Sequence, residues 1–348
     1  MLKQKSPKAP GKRCLGITAT KRIYPPPPKP GGGEGVPPRN DLRDSAAPPC
    51  LRPGTRRWYL MRYPMDVICL SYLSAMILLL LCCHRHVANW SSLALQFALF
   101  ALGICFLILL DDKFPGRGIS STARLIYPVA VIATGWGALT QLVPLLYGSY
   151  WTTSWVIYTD RLLFGVYPTV WMVQYHRPWL DELMNIFYSG YYLFMPGIVL
   201  TLLISGKRRQ LVYALSLVSF TYLGNFVFFL LLPTLGPQLI PEIAKLGGGS
   251  YSGYWIAAAT RWIQSNGGAI GGAFPSSHVS GAVIWTLVAL DLNRPLGVCL
   301  ALLVPGIAVS TVYLGYHHAL DPLAGILWGF LAYGLIKPSC YYLVGGKR

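Results

Sequence analysis

The stretch GGAFPSSHVSGAVIW, residues 271–285, passes from small flexible residues through a proline, two serines and a histidine into an apolar run. Its second half reads as the start of a helix, and its first half places hydrogen-bonding groups at that helix's entrance. The rest of the chain decides what kind of helix this is. Of 348 residues, 54% are hydrophobic and 12% charged, about half the charge of an ordinary soluble domain. Eight apolar runs follow one another, at approximately 66–83, 91–110, 126–147, 184–205, 211–233, 277–292, 296–314 and 320–337. Most approach the roughly 20 residues that cross a hydrocarbon core, the sixth and eighth lying nearer the short limit of about 17. A segment in lipid must satisfy its own backbone groups, so each run is expected to be helical. The expected fold is all-α, a polytopic membrane bundle of about eight transmembrane helices.

Residues 1–65 read differently. They are rich in Pro, Gly, Lys and Arg around YPPPPKPGGG, bury too little apolar surface to offset ordering entropy, and are expected to form a disordered basic tail. Met61 and Met65 stand just before the first run, so a later start is open, with that run as an uncleaved signal anchor. The net charge of +17 would ordinarily raise nucleic acid as a partner, but the basic residues gather in the tail and between apolar runs, which fits membrane orientation better. With the tail in the cytoplasm, 24 of the 29 Lys and Arg fall on the cytoplasmic side. Only Arg85, Arg161, Arg177, Lys245 and Arg261 fall opposite. Both termini are therefore expected in the cytoplasm, with segments 148–183 and 234–276 outside it. The first, with its Trp, Tyr and isolated charges, is expected to form short interfacial helices; the second reads as a Gly-rich loop. Residues 66–125 are expected to hold two N-terminal transmembrane helices and a loop, and 338–348 a short cytoplasmic tail.

The eight cysteines show no C-x-x-C or Cys/His ligand spacing, so neither a disulfide framework nor a zinc site is expected. Two polar knots remain. One is Pro275-Ser276-Ser277-His278; the other, STVYLGYHHALDPLAG at 310–325, contains His317, His318 and Asp321. The chain crosses the membrane twice between them, so both return to one face. Two histidines and a carboxylate at a membrane boundary suit phosphoryl transfer: one imidazole attacks phosphorus, the carboxylate orients it, and the second imidazole protonates the departing alkoxide. Ser276 and Ser277, where the sixth helix begins, supply hydroxyls and backbone N–H groups for an anion.

The two knots resemble the second and third signature blocks of the type 2 phosphatidic acid phosphatase (PAP2) superfamily, written P-S-G-H and S-R-x5-H-x3-D. Ser277 stands in the glycine place and Thr311 in that of the arginine, while Ser310, His317 and Asp321 keep their spacing. The inositol phosphorylceramide synthase branch also lacks that arginine and carries Tyr-Leu-x-x-His, as Tyr313, Leu314 and His317 do here. DRLLFGVYPTVW and LLPTLGP resemble that branch as well. The resemblance implies a PAP2-like catalytic membrane domain over 126–337, formed by the last six helices, with metal-independent chemistry and no cofactor. It implies His317 as nucleophile, Asp321 as its orienting partner and His278 as the acid. The K-x6-R-P block is not matched: Gln238, directly after PTLGP, stands in the place expected for its arginine. Arg261, in the same loop as PSSH, is the first candidate for the phosphate-binding cation, ahead of Lys245, Arg161 and Arg177.

Structural readings stand beside these. Asp321 precedes Pro322 and would serve as an N-cap of the eighth helix. Ser276 and Ser277 would cap the sixth, and Arg261 would anchor at the interface. His318 lacks the block spacing and is expected to support rather than react. Two or three histidines and an aspartate are also ordinary metal ligands, but no ligand pair lies on one helix. The expected activity is therefore a PAP2-type lipid phosphatase or phosphotransferase acting on a lipid phosphate or phospholipid headgroup at the extracytoplasmic face. The alternative is a non-catalytic lipid-binding protein or transporter on the same bundle.

Overall fold

The computed structural model describes residues 63–114, 118–249, 251–340 and 343; the expected basic tail lies outside this set except for its last three residues. Helices follow in the order α1 Pro64–Cys82, α2 Trp90–Lys113, α3 Gly118–Tyr147, α4 Thr152–Phe164, α5 Pro168–Met172, α6 Pro178–Gly190, α7 Phe194–Ile204, α8 Arg208–Leu231, α9 Pro241–Lys245, α10 Trp255–Gly267, α11 Ser277–Leu292, α12 Arg294–Tyr313 and α13 Leu320–Cys340. Short 3-10 turns join α6 to α7 and precede α9. Among the described residues, seven spans are long and apolar enough to cross a membrane, with α6 and α7 together forming one of them. The sixth expected span, α11, falls outside that set: it has 16 residues, about 24 Å of helix. The last span is longer than expected, 21 residues, and the first begins at Pro64 rather than after Met65.

Burial separates the centre of the bundle from its rim. The α8 span is 72% buried and the α2 span 17%. Leu95, Leu99, Leu102, Phe106 and Leu109 on α2 point outward, as a lipid-facing helix requires. Around α8 pack α1, α3, α11 and α13. The α11–α13 contact is close because α13 offers glycine at it: a Cβ on Gly325 would stand 2.6 Å from the Ser276 carbonyl oxygen, and one on Gly329 2.7 Å from a Val283 methyl. Two small residues four apart let helix backbones approach in a membrane, and this approach sets the distance between the two polar knots.

At the end of the bundle away from those knots, polar groups tie the helices together. Arg124 of α3, 2% exposed, holds Asp66 of α1 through its two terminal guanidinium nitrogens, and Tyr127 donates to the same carboxylate. Asp291 accepts from Tyr213, Tyr333 and Lys337, joining α11, α8 and α13. Removing either partner of a buried charged pair is costly, so Arg124 and Asp66 depend on each other.

Segment 148–183 is helical, as expected, with Trp155, Tyr158, Leu162 and Trp179 exposed. Segment 234–276 departs from the Gly-rich loop expected of it: α10 occupies its middle, with Ala257 and Thr260 buried and Trp255 and Trp262 exposed. The amphipathic spacing of WIAAATRWIQ was masked by the glycines on both sides.

Candidate functional site

Loop, helix start and turn meet above α11 and α13. The PTLGP segment pairs with the glycines before PSSH: Thr234 N–H donates to Gly271 O at 2.9 Å and Ala273 N–H to Thr234 O at 3.1 Å. Gly271 has φ +89°, a conformation that L side chains rarely adopt. The chain then enters α11 with Ser276 as N-cap, its Oγ accepting Val279 N–H at 3.4 Å. The capping reading of Ser276 is thus realised, and it coexists with a second contact of the same oxygen. Ser277 is the first helical residue, so its N–H and that of His278 have no acceptor within the helix.

His317 lies outside any helix, in the turn between α12 and α13. The Thr311 carbonyl accepts the N–H of Tyr316 at 3.1 Å and of His317 at 3.0 Å, closing that turn. Asp321 sits in the first turn of α13, and its Oδ2 accepts His318 N–H at 2.8 Å. It is not the N-cap. That service comes from Asp160 of α4, whose two carboxylate oxygens accept Ala319 and Leu320 N–H, each at 2.8 Å. Burial raises the Asp160 carboxyl above the usual range, and these two N–H groups offset part of the rise.

The knots join directly. Ser276 N–H donates to the Asp321 carbonyl at 3.0 Å. His317 Nδ1 faces two acceptors, Ala273 O at 2.8 Å and Asp321 Oδ2 at 3.3 Å, so Nδ1 carries the proton. Its Nε2 keeps the lone pair, 3.2 Å from Ser276 Oγ. An imidazole held this way presents a nucleophilic nitrogen beside an open helix N-terminus, with a carboxylate behind it for the positive charge that attack develops. Asp321 Oδ1 is buried and makes no hydrogen bond.

His278 stands beside His317 with ring centroids 5.9 Å apart. It stacks on Tyr188 at 4.6 Å and touches the rings of Tyr191 and Tyr192. Its Nε2 meets Tyr192 OH at 3.1 Å, while Nδ1 is buried with no partner. His318 takes no part in this pair. Its Nε2–H donates to Leu235 O at 2.8 Å and Tyr167 OH donates to its Nδ1 at 2.6 Å, anchoring the turn to PTLGP and to the segment before α5.

Arg261 lies elsewhere. It is exposed on α10, donates to Ser252 O at 2.8 Å and covers the Tyr251 ring. Tyr251 OH meets Tyr316 OH at 2.5 Å, Tyr316 packs on Tyr188, and Tyr188 stacks on His278. Arg261 is therefore connected to His278 through three tyrosines rather than by direct contact. Arg161, Arg177 and Lys245 are also exposed. Among the described residues no group of three His, Cys, Asp or Glu side chains converges as a cation site.

The site also contains residues the sequence did not single out. Asp160 and Tyr167 sit within DRLLFGVYPTVW, where only likeness, not role, was visible. Tyr188, Tyr192 and Gln264 carried no motif; the one available signal for Gln264 was its place on the buried face of α10 with Ala257 and Thr260.

A family model described as the PAP2 superfamily matches residues 154–335, which takes in most of α4, both knots and most of α13. No curated protein and no solved structure matches the chain. The matched span exceeds half of the sequence and contains both histidine blocks at their spacing, so the chain belongs to the PAP2 superfamily, a helical membrane fold associated with phosphatase-type activity.

Proposed function

We propose that this protein transfers the phosphoryl group of a lipid phosphate or phospholipid headgroup through a phosphohistidine at the extracytoplasmic face. The observation that supports the reading is the arrangement of His317: Ala273 O and Asp321 occupy Nδ1, leaving Nε2, with Ser276 Oγ at 3.2 Å, as the nucleophile. In the first half-reaction the Nε2 lone pair forms a bond to phosphorus, the P–O bond to the leaving group breaks, and His278 gives that oxygen a proton. In the second, an oxygen of the acceptor bonds to phosphorus as the P–N bond breaks, the electron pair returns to His317 Nε2, and His278 takes the acceptor's proton. Ser276, the first-turn amides of α11 and Ser277 cradle the non-bridging oxygens. Arg261, at the outer end of the tyrosine chain, is the proposed cation for the headgroup.

Water as acceptor makes the enzyme a phosphatase; an alcohol makes it a transferase. The Tyr313-Leu314-x-x-His317 pattern supports the inositolphosphotransferase-like branch and hence an alcohol. The charge bias of the loops supports termini in the cytoplasm and the site outside it. The test is to supply purified protein with labelled lipid phosphates and phospholipids, with and without inositol, ceramide or diacylglycerol, and to identify the products. New phosphodiesters dependent on an added alcohol support transfer, and inorganic phosphate alone supports hydrolysis. Binding without turnover of any substrate would instead establish the lipid-binding alternative.

A further inference from the structure

His278 has two ring nitrogens in unlike surroundings, and its environment selects which one reacts. Tyr192 OH stands 3.1 Å from Nε2, and Gln264 donates to the oxygens of both Tyr192, at 2.9 Å, and Tyr188, at 2.7 Å. Gln264 thus fixes two phenol groups at once, one stacked beneath His278 and one at its edge. Nδ1 is buried and has no hydrogen-bond partner. A hydroxyl both donates and accepts, so Tyr192 can keep hold of Nε2 whether His278 is neutral or charged.

We infer that Tyr192, held by Gln264 from α10, is a positioning residue that confines proton exchange by His278 to Nδ1. The inference rests on the phosphohistidine reading above. When His317 Nε2 bonds to phosphorus and the P–O bond breaks, the electron pair passes to the leaving oxygen. That oxygen takes the Nδ1 proton of the charged imidazole. His278 is left neutral with its Nε2–H donated to Tyr192, and Nδ1 is ready to take the acceptor's proton in the next half-reaction. The device also gives α10 a role: the helix carries the glutamine that holds the acid in register.

Protonation matters in proportion to how poor the leaving group is, which separates positioning from a merely structural role. Tyr192→Phe, Gln264→Leu and His317→Ala are assayed on two matched pairs of probes: dodecyl phosphate with 4-nitrophenyl phosphate, and didodecyl phosphate with dodecyl 4-nitrophenyl phosphate. General-acid contributions of about 100- to 10,000-fold leave room for Tyr192→Phe to lower kcat on the alkyl probe by about 10- to 100-fold. The nitrophenyl partner should fall less than about threefold, since its leaving group needs little protonation. Gln264→Leu follows in the same direction, and retained nitrophenyl turnover shows that each variant is folded. Equal losses on both members of a pair, or no loss on either, overturn the inference. If His317→Ala keeps wild-type turnover, or the wild type turns over neither pair, the phosphohistidine reading itself fails, and this inference with it.

Discussion

Replacing Asp321 by Asn separates two jobs that a carboxylate beside a histidine usually performs together. Where the carboxylate alone fixes the tautomer, its amide loses catalysis by about 10,000-fold. Here Ala273 O is the nearer acceptor of His317 Nδ1–H, 2.8 Å against 3.3 Å for Asp321 Oδ2, so the tautomer survives the change. His318 N–H requires an acceptor where Oδ2 stands, which turns the new amide oxygen to that position and its NH2 to the place of Oδ1, an atom without a partner. What is lost is the charge assistance to a cationic imidazole. Hydrogen bonds to charged groups contribute about 1.5–3 kcal/mol, so kcat should fall about 10- to 160-fold. The assay is single-turnover formation of the phosphoenzyme by rapid quench, with melting temperature as a control. A loss beyond about 10,000-fold would show that Asp321, not the carbonyl, sets the tautomer; a loss under about threefold would remove Asp321 from the reaction altogether.

Other consequences follow from the same contacts. Gly325→Ala places a methyl group 2.6 Å from the Ser276 carbonyl oxygen, which is backbone and cannot rotate away. It should cost about 1–3 kcal/mol and most of the activity, whereas Gly334→Ala, with nothing within 4 Å, should leave both intact by thermal melting and turnover. Asp66→Ala strands the buried Arg124 and should cost about 3–5 kcal/mol in denaturation, while surviving folded protein keeps its kcat. Asp160 has its carboxyl raised, so the folded state binds its proton more tightly than the unfolded chain. Its contribution is full below about pH 4 and falls as pH rises through the raised value. The melting-temperature gap between wild type and Asp160→Asn should therefore narrow from about pH 4 toward neutrality; a gap that widens contradicts the assignment.

Legible in the sequence were the helices that lipid dictates and the two polar knots that the structure brings together. All eight apolar runs became helices, because a membrane leaves the backbone few alternatives, and PSSH met His317 because the intervening hairpin of α11 and α12 returns to the same end. The contacts that tune the site were out of reach. The Ala273 carbonyl that competes with Asp321 is a backbone atom, with no residue type to mark it. Asp160 caps α13 from 159 positions away, and Gln264 reaches Tyr188 and Tyr192 from a helix hidden between glycine runs. The i to i+4 spacing of His317 and Asp321 turned out to work without a shared helix: the turn brings them to 3.3 Å, although His317 precedes the first residue of α13.

The most direct test of the central claim is the location of the phosphoryl group during turnover. Wild-type protein quenched early with a 32P-labelled lipid phosphate or phospholipid should carry an acid-labile, base-stable label that peptide mass spectrometry places on His317, and His317→Ala should carry none. Label on His278, on His318 or on a carboxylate, or steady turnover with no covalent label at any quench time, would contradict it.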